Sequence, residues 1–145
     1  MTIHNGGCHC GNLRLTLRLT QAPDTVSLRA CGCSFCRANQ TRTVSDPNGA
    51  AEIWAADWAE VSRYRFGSGT ADFLVCRRCG IYLGAVTETD NGTRMVTNTN
   101  CLEDRARFTG TPAPTDHDNE TVDSRIARRA ANWTPTIVHA HATNR

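Results

Sequence analysis

Eight cysteines, seven of them gathered into three tight clusters, constrain this chain more than any other feature. The clusters are Cys8-His-Cys10-Gly11, Cys31-Gly-Cys33-Ser-Phe-Cys36-Arg37 and Cys76-Arg-Arg-Cys79-Gly80, and Cys101 stands alone. In a secreted protein such a count would suggest disulfides; in a reducing compartment clustered cysteines point to metal. Cys8/Cys10 and Cys31/Cys33 are each separated by a single residue, and a disulfide closed over so short a loop is strained. Metal ligation is therefore the reading that the spacing favours.

Tetrahedral zinc needs four ligands, and neither outlying pair supplies more than two. The middle cluster holds three thiols within six residues, Cys31, Cys33 and Cys36. If those three share one ion, Cys8, Cys10, Cys76 and Cys79 are left to combine into a closed structural site. Residues two apart on a strand point to one face, so Cys8 and Cys10 are expected to ligate together from a strand. Cys76 and Cys79 form a knuckle that Gly80 relieves of crowding. The competing arrangement adds Cys101 to the middle cluster and closes both sites. Three ligands leave a position for water or substrate, and four do not, so the partition decides whether chemistry is possible. Arg77 and Arg78 would partly offset the negative charge of a four-thiolate site, and Arg37 that of the open one.

With 145 residues the chain reads as a single domain, 1–145, able to bury a core of its own. No run approaches a membrane span, and Met1-Thr-Ile-His-Asn carries no secretory signal, which gives a cytoplasmic expectation and no membrane partner. All sixteen basic residues are arginine, against fourteen acidic ones. No basic run stands out, so nucleic acid is not an expected partner.

Leu13, Leu15, Leu17 and Leu19 alternate with polar residues as a strand with one buried face does. The same period continues through Val26–Ala30. Ala71–Val75 reads as a strand running into Cys76, and Ile81–Val86 and Thr93–Thr97 flank the hairpin turn Asp90-Asn91-Gly92. Asp46-Pro47-Asn48-Gly49 marks a loop. Ala50–Glu60, alanine-rich with Trp54 and Trp58 four apart, reads as a short helix. Residues 120–133 place Val122, Ile126, Ala130 and Trp133 on one face with arginines opposite, a C-terminal helix started by Asp118 or Asn119. Trp54, Trp58, Phe66, Phe73 and Tyr82 are expected in the core. Among the histidines, His9 reads as a bystander between two ligands, and His4, His139 and His141 as solvated within or near frayed termini, the tail running from His139 to Arg145. His117 reads as part of a solvated loop or cap, Ser34 as a turn residue that could hydrogen-bond a sulfur, and Cys101 as a small buried residue.

Taken in order, Gly-x-Cys-x-Cys-Gly, Cys-x-Cys-Ser-x-Cys-Arg and Cys-x-x-Cys-Gly resemble the glutathione-dependent formaldehyde-activating enzyme family, which also includes centromere protein V. The segments are Gly6–Leu13, Cys31–Arg37 and Phe73–Gly80, with Asn98–Asp104 similar to the family's next strand end; together they span about residues 6–104. Gly32 stands where the family commonly has histidine. The resemblance implies a mainly β chain of the β-tent type, two small antiparallel sheets leaning around a structural zinc. It implies that Cys8, Cys10, Cys76 and Cys79 hold that zinc, that Cys31, Cys33 and Cys36 hold a second, catalytic zinc, and that glutathione binds beside it, near Arg37. The activity implied is that of a carbon–sulfur lyase of the S-(hydroxymethyl)glutathione synthase type, joining a thiol such as glutathione to a small aldehyde. The alternative function is a non-enzymatic zinc module that binds a protein or nucleic acid.

Overall fold

The computed structural model describes residues 1–140. Residues 141–145 of the expected tail, His141 among them, lie outside the described residues. The fold is mainly β with a C-terminal helix, as the sequence implies.

Its centre is β2 (Leu13–Leu19), paired antiparallel to β1 (Thr2–Gly7) on one side and to β5 (Ala50–Ala55) on the other. The alternation in β2 works as read: Leu13, Leu15, Leu17 and Leu19 are all fully buried, packed with Ile53 of β5. Burial of each such side chain stabilises by about 1.5–3 kcal/mol. Beside β5 runs β11 (Thr134–Val138), parallel to it, and β11 also pairs antiparallel with β9 (Gly92–Asn98). That one strand joins the first group to a second. In the second, β9 forms the expected hairpin with β8 (Tyr82–Thr89), which pairs with β7 (Asp72–Cys76), itself paired with β6 (Val61–Tyr64). On the other side of β9, the two-residue β4 (Thr43–Val44) leads to β3 (Arg29–Cys31), which takes β10 (Ala113–Thr115) in parallel. The strands thus form one continuous pairing network joined through β11, and not two separate sheets.

Three local readings are corrected. The stretch 50–60 is not a helix but β5 followed by a single 3-10 turn, Trp58–Glu60. Its alanines suit helix, yet pairing to β2 and β11 satisfies the backbone and overrides propensity. Residues 26–28 are loop, with only Arg29–Cys31 in a strand. The helix is α2, Val122–Asn132, capped by Thr121, whose hydroxyl accepts from the Ser124 N–H at 3.1 Å.

The facing of α2 departs from the reading at two positions. Val122 is half exposed, while Arg129 is 8% exposed and is the helix's buried residue. Trp133, just after the helix, is 6% exposed, and Ile126 and Ala130 are half-buried, so Arg129 is turned inward together with most of the apolar face.

Two histidines read as solvated are not. His4, in β1, is 1% exposed, with the Thr2 hydroxyl and an Asp104 carboxylate oxygen 2.7 and 2.8 Å from its two ring nitrogens. His139 stacks on Trp54 with centroids 4.7 Å apart, its Nε2 is 3.2 Å from Glu52, and its carbonyl accepts from the Trp58 indole at 2.7 Å. Of the aromatic residues expected in the core, Tyr82 is buried and Phe73 packs against a small buried cluster, whereas Trp54 and Phe66 are only half-buried.

Candidate active site

The β1–β2 turn and the β7–β8 turn meet at the first cysteine cluster. The Sγ atoms of Cys8, Cys10, Cys76 and Cys79 all lie within 4.8 Å of one another. Cys8 and Cys10 are 3.6 Å apart, and Cys10 and Cys76 3.5 Å. A tetrahedron of sulfurs about 2.3 Å from a zinc ion has edges of about 3.8 Å, so this donor set fits the ion. All of these thiols are free. The strand geometry expected for Cys8 and Cys10 is wrong: β1 ends at Gly7, and the pair occupies the turn that follows. That turn folds back through Gly11, at φ 89°, whose N–H donates to the Cys8 carbonyl. Gly80, at φ 79°, closes the other knuckle, with its N–H donating to the Cys76 carbonyl at 2.8 Å.

Backbone donors converge on these sulfurs, as the hydrogen bonds around metal-held thiolates do. The Leu13 N–H donates to Cys8 Sγ at 3.2 Å. Burial nevertheless pushes the Cys8 thiol up to about 12. At Cys79 partial burial opposes ionisation, but the N–H groups of Cys10 and Ile81 and the Cys76 and Cys8 thiols together hold it down to about 6. Arg78 is turned to Asp57 and Glu60, at 4.0 and 3.7 Å, so carboxylates already share its charge.

The second cluster is Cys31, at the end of β3, with Cys33 and Cys36 around the start of α1 (Ser34–Asn39). These three sulfurs also lie within 4.8 Å of one another. The Cys36 N–H donates to Cys33 Sγ at 3.4 Å. Cys31 is held down to about 5 by a hydrogen bond from the Cys36 thiol, which outweighs the opposing burial, and then by the N–H and thiol of Cys33 and the electrostatic influence of His117. The Cys36 thiol is pushed up correspondingly by its bond to Cys31 and by burial. Cys101 is not gathered with them: its Sγ lies 2.9 Å from the Asn98 carbonyl in a separate 3-10 turn. Two separate thiol sets, of four and of three, are what the structure brings together.

Phe35, between Cys33 and Cys36, anchors this loop. Its ring meets Phe73 and Tyr82, each with centroids 4.9 Å away, and Phe66 and Tyr64 at 5.6 and 5.9 Å.

A cavity of about 490 Å³ opens directly on the three thiols. Ser34 and Arg37 line it, with Arg37 exposed on α1. So do residues that sequence reasoning left in solvent or on the far face of a helix: His117, Arg125, Arg128 and Arg129. Arg29 completes that wall from β3; burial and the neighbouring Arg128 lower its pKa. Burial and Arg128 likewise lower that of His117. The signal that could have found these residues is the cluster of three arginines in one helix, of which Arg129 stands three and four positions from the apolar Ile126 and Trp133 and so shares their face.

A mainly β chain with two thiol clusters that can each hold a metal ion, one of them facing a cavity, defines a metal-site β protein with a small-molecule pocket. The chain belongs to the glutathione-dependent formaldehyde-activating enzyme family, whose model matches residues 3–117. It is also similar to a Rhodobacter sphaeroides protein of known crystal structure. The two are 27% identical with a TM-score of 0.58, over 77% of this chain and 99% of that one. Among the described residues no helix is long and apolar enough to cross a membrane.

Proposed function

We propose that this protein is a cytoplasmic zinc enzyme of the carbon–sulfur lyase type that handles the adduct of a thiol, such as glutathione, with a small aldehyde such as formaldehyde. The observation that carries the reading is the three-thiol set at the mouth of the cavity. Cys8, Cys10, Cys76 and Cys79 would hold a structural zinc, and Cys31, Cys33 and Cys36 a second one. When bound at the second set, zinc supplies an electrophilic centre that favours the ionised form of a substrate thiol.

The rest falls to the chain. The cavity holds the thiol and aldehyde together, which removes the entropic cost of their encounter. Phe35 and its ring neighbours fix the loop that carries two of the three cysteines. Arg37 and the arginines opposite offer fork-shaped donors for carboxylates of the thiol substrate. In the synthetic direction a bond forms between the substrate sulfur and the carbonyl carbon, and the thiol proton ends on the former carbonyl oxygen. His117, which lines the cavity, is the imidazole placed to carry that proton.

The test is exchange spectroscopy by NMR on glutathione and formaldehyde with catalytic amounts of zinc-loaded protein. Acceleration of adduct exchange, abolished in Cys33→Ser, supports the proposal. An unchanged exchange rate together with no calorimetric binding of glutathione overturns it.

A further inference from the structure

The cavity carries more positive charge than a thiol and an aldehyde alone explain. Arg128 is satisfied, because its Nε and Nη2 donate to the two Glu120 carboxylate oxygens at 2.7 and 3.0 Å. Arg125 shares Glu120 and donates to the His117 carbonyl at 2.8 Å. Arg29 and Arg129 have no carboxylate partner among the described residues. Arg129 is the more telling of the two. It is 8% exposed, its guanidinium stacks over Trp133 at 4.8 Å, and its Nη1 donates to the Thr70 hydroxyl at 2.8 Å. Its Nε is buried with no hydrogen-bond partner among the described residues. Burial and the adjacent Arg128 and Arg125 lower its pKa to about 10, a sign that the fold holds like charges together against their repulsion.

A buried cation without an anion is destabilising, because nothing offsets its lost hydration. A pocket that keeps one is complementary to an anion that arrives with the ligand. Arg29 is tied to the same corner: its Nη2 donates to Ser45, whose hydroxyl donates to the Asn132 carbonyl at the end of α2. The unsatisfied charge therefore sits where β3 meets the last turns of α2.

We infer that Arg129 and Arg29 form a carboxylate-recognition subsite, built by the helix that follows the family-matched segment, and that it selects thiol substrates bearing a carboxylate. The inference rests on the reading of the cavity as the thiol site. Arg29 lies within residues 3–117, but Arg129 is a determinant that they do not contain, since α2 spans Val122–Asn132. Purely neutral thiols would fit less well, since they leave the guanidinium fork held over Trp133 without an anion.

Isothermal titration of the zinc-loaded full chain separates the possibilities with four probes: glutathione, its diethyl ester, glyoxylate, and S-methylglutathione, which keeps both carboxylates but has no thiol. Wild type is expected to bind glutathione at least about tenfold more tightly than the diester, as loss of a charge-assisted pair requires. In Arg129→Gln that preference disappears, while the diester binds as it does to wild type, and Arg129→Lys restores part of it. Zinc content and circular dichroism establish folding; if Arg129→Gln does not fold, Arg29→Gln is expected to show the same loss of preference. Equal affinity of wild type for glutathione and its diester, or a preference that survives in both glutamine variants, overturns the subsite. S-methylglutathione keeps the two readings apart. If the thiol chemistry is wrong but the subsite is right, this probe still binds wild type and weakens in Arg129→Gln. If glyoxylate, and not the thiol, shows the discrimination, the carboxylate belongs to the carbonyl partner and the inference fails.

Discussion

Removing the Asp46 carboxylate should cost this fold about 3–5 kcal/mol, because it gathers several backbone and hydroxyl donors in the loop before β5. One oxygen accepts from the Thr20 N–H at 2.7 Å and from the Thr20 hydroxyl; the other accepts from the Asn48 N–H at 2.9 Å. The Gly49 N–H adds a further donor. The residue is 2% exposed, so Asp46→Ala leaves these donors partly stranded. At roughly 1–3 kcal/mol for each buried group left without a partner, discounted for those that reach water, the sum falls in that range. The loop also matters to the pocket, since the Asp46 N–H donates to the Thr134 hydroxyl just after α2. In a protein of this length the loss corresponds to a fall in Tm of about 8–15 °C.

The pH dependence gives the sharper check. Burial raises the Asp46 pKa, but the bonds from Thr20, Asn48 and Gly49 outweigh it and hold the carboxyl below the usual range. A carboxylate depressed in the folded state contributes stability that is fully present above its unfolded pKa of about 3.9 and is lost as pH falls through the folded value. Urea denaturation of wild type and Asp46→Asn should therefore show a gap that is constant from pH 5 to 7 and narrows below about pH 4. A gap under about 0.5 kcal/mol at pH 7, or one that widens in acid, would refute the reasoning.

Further outcomes follow from the same contacts. Phe35→Ala removes the ring that meets four others around the three-thiol loop, so chelator competition should show the second zinc weakened by about tenfold or more while the first is retained. Cys101→Ala should leave zinc stoichiometry unchanged and cost about 1 kcal/mol by thermal denaturation, since its Sγ bonds only carbonyls. His4→Ala strands Thr2 and Asp104 and opens a gap beside Phe108, a loss of about 2–4 kcal/mol measurable in urea.

What the sequence made legible was what short-range spacing encodes. Metal ligation concentrates its signal within two or three residues, so Cys8/Cys10, Cys76/Cys79 and the middle trio could be sorted without knowing the fold. The leucines of β2 and the Asp90-Asn91-Gly92 turn are equally local. β1 was missed because its inward positions are His4 and Gly6, which carry no apolar alternation. β5 was misread because alanines favour helix in isolation, whereas two partner strands claim its backbone. The inward Arg129 of α2 escaped the amphipathic reading, since such a reading assumes that charge faces water. A pocket that binds an anion is where that assumption fails, and there the fold trades stability for recognition.

The central claim is that one thiol set holds the structure and the other the chemistry. Zinc stoichiometry of the full chain by mass spectrometry of the metal, in wild type, Cys10→Ser and Cys33→Ser, tests it most directly. The account predicts two ions in wild type, one of them released more readily to a chelator when glutathione is present. Cys33→Ser should keep one ion and a wild-type fold but lose adduct exchange, while Cys10→Ser should unfold at markedly lower temperature. A single ion in wild type, or Cys33→Ser that keeps two ions and full activity, would contradict the division.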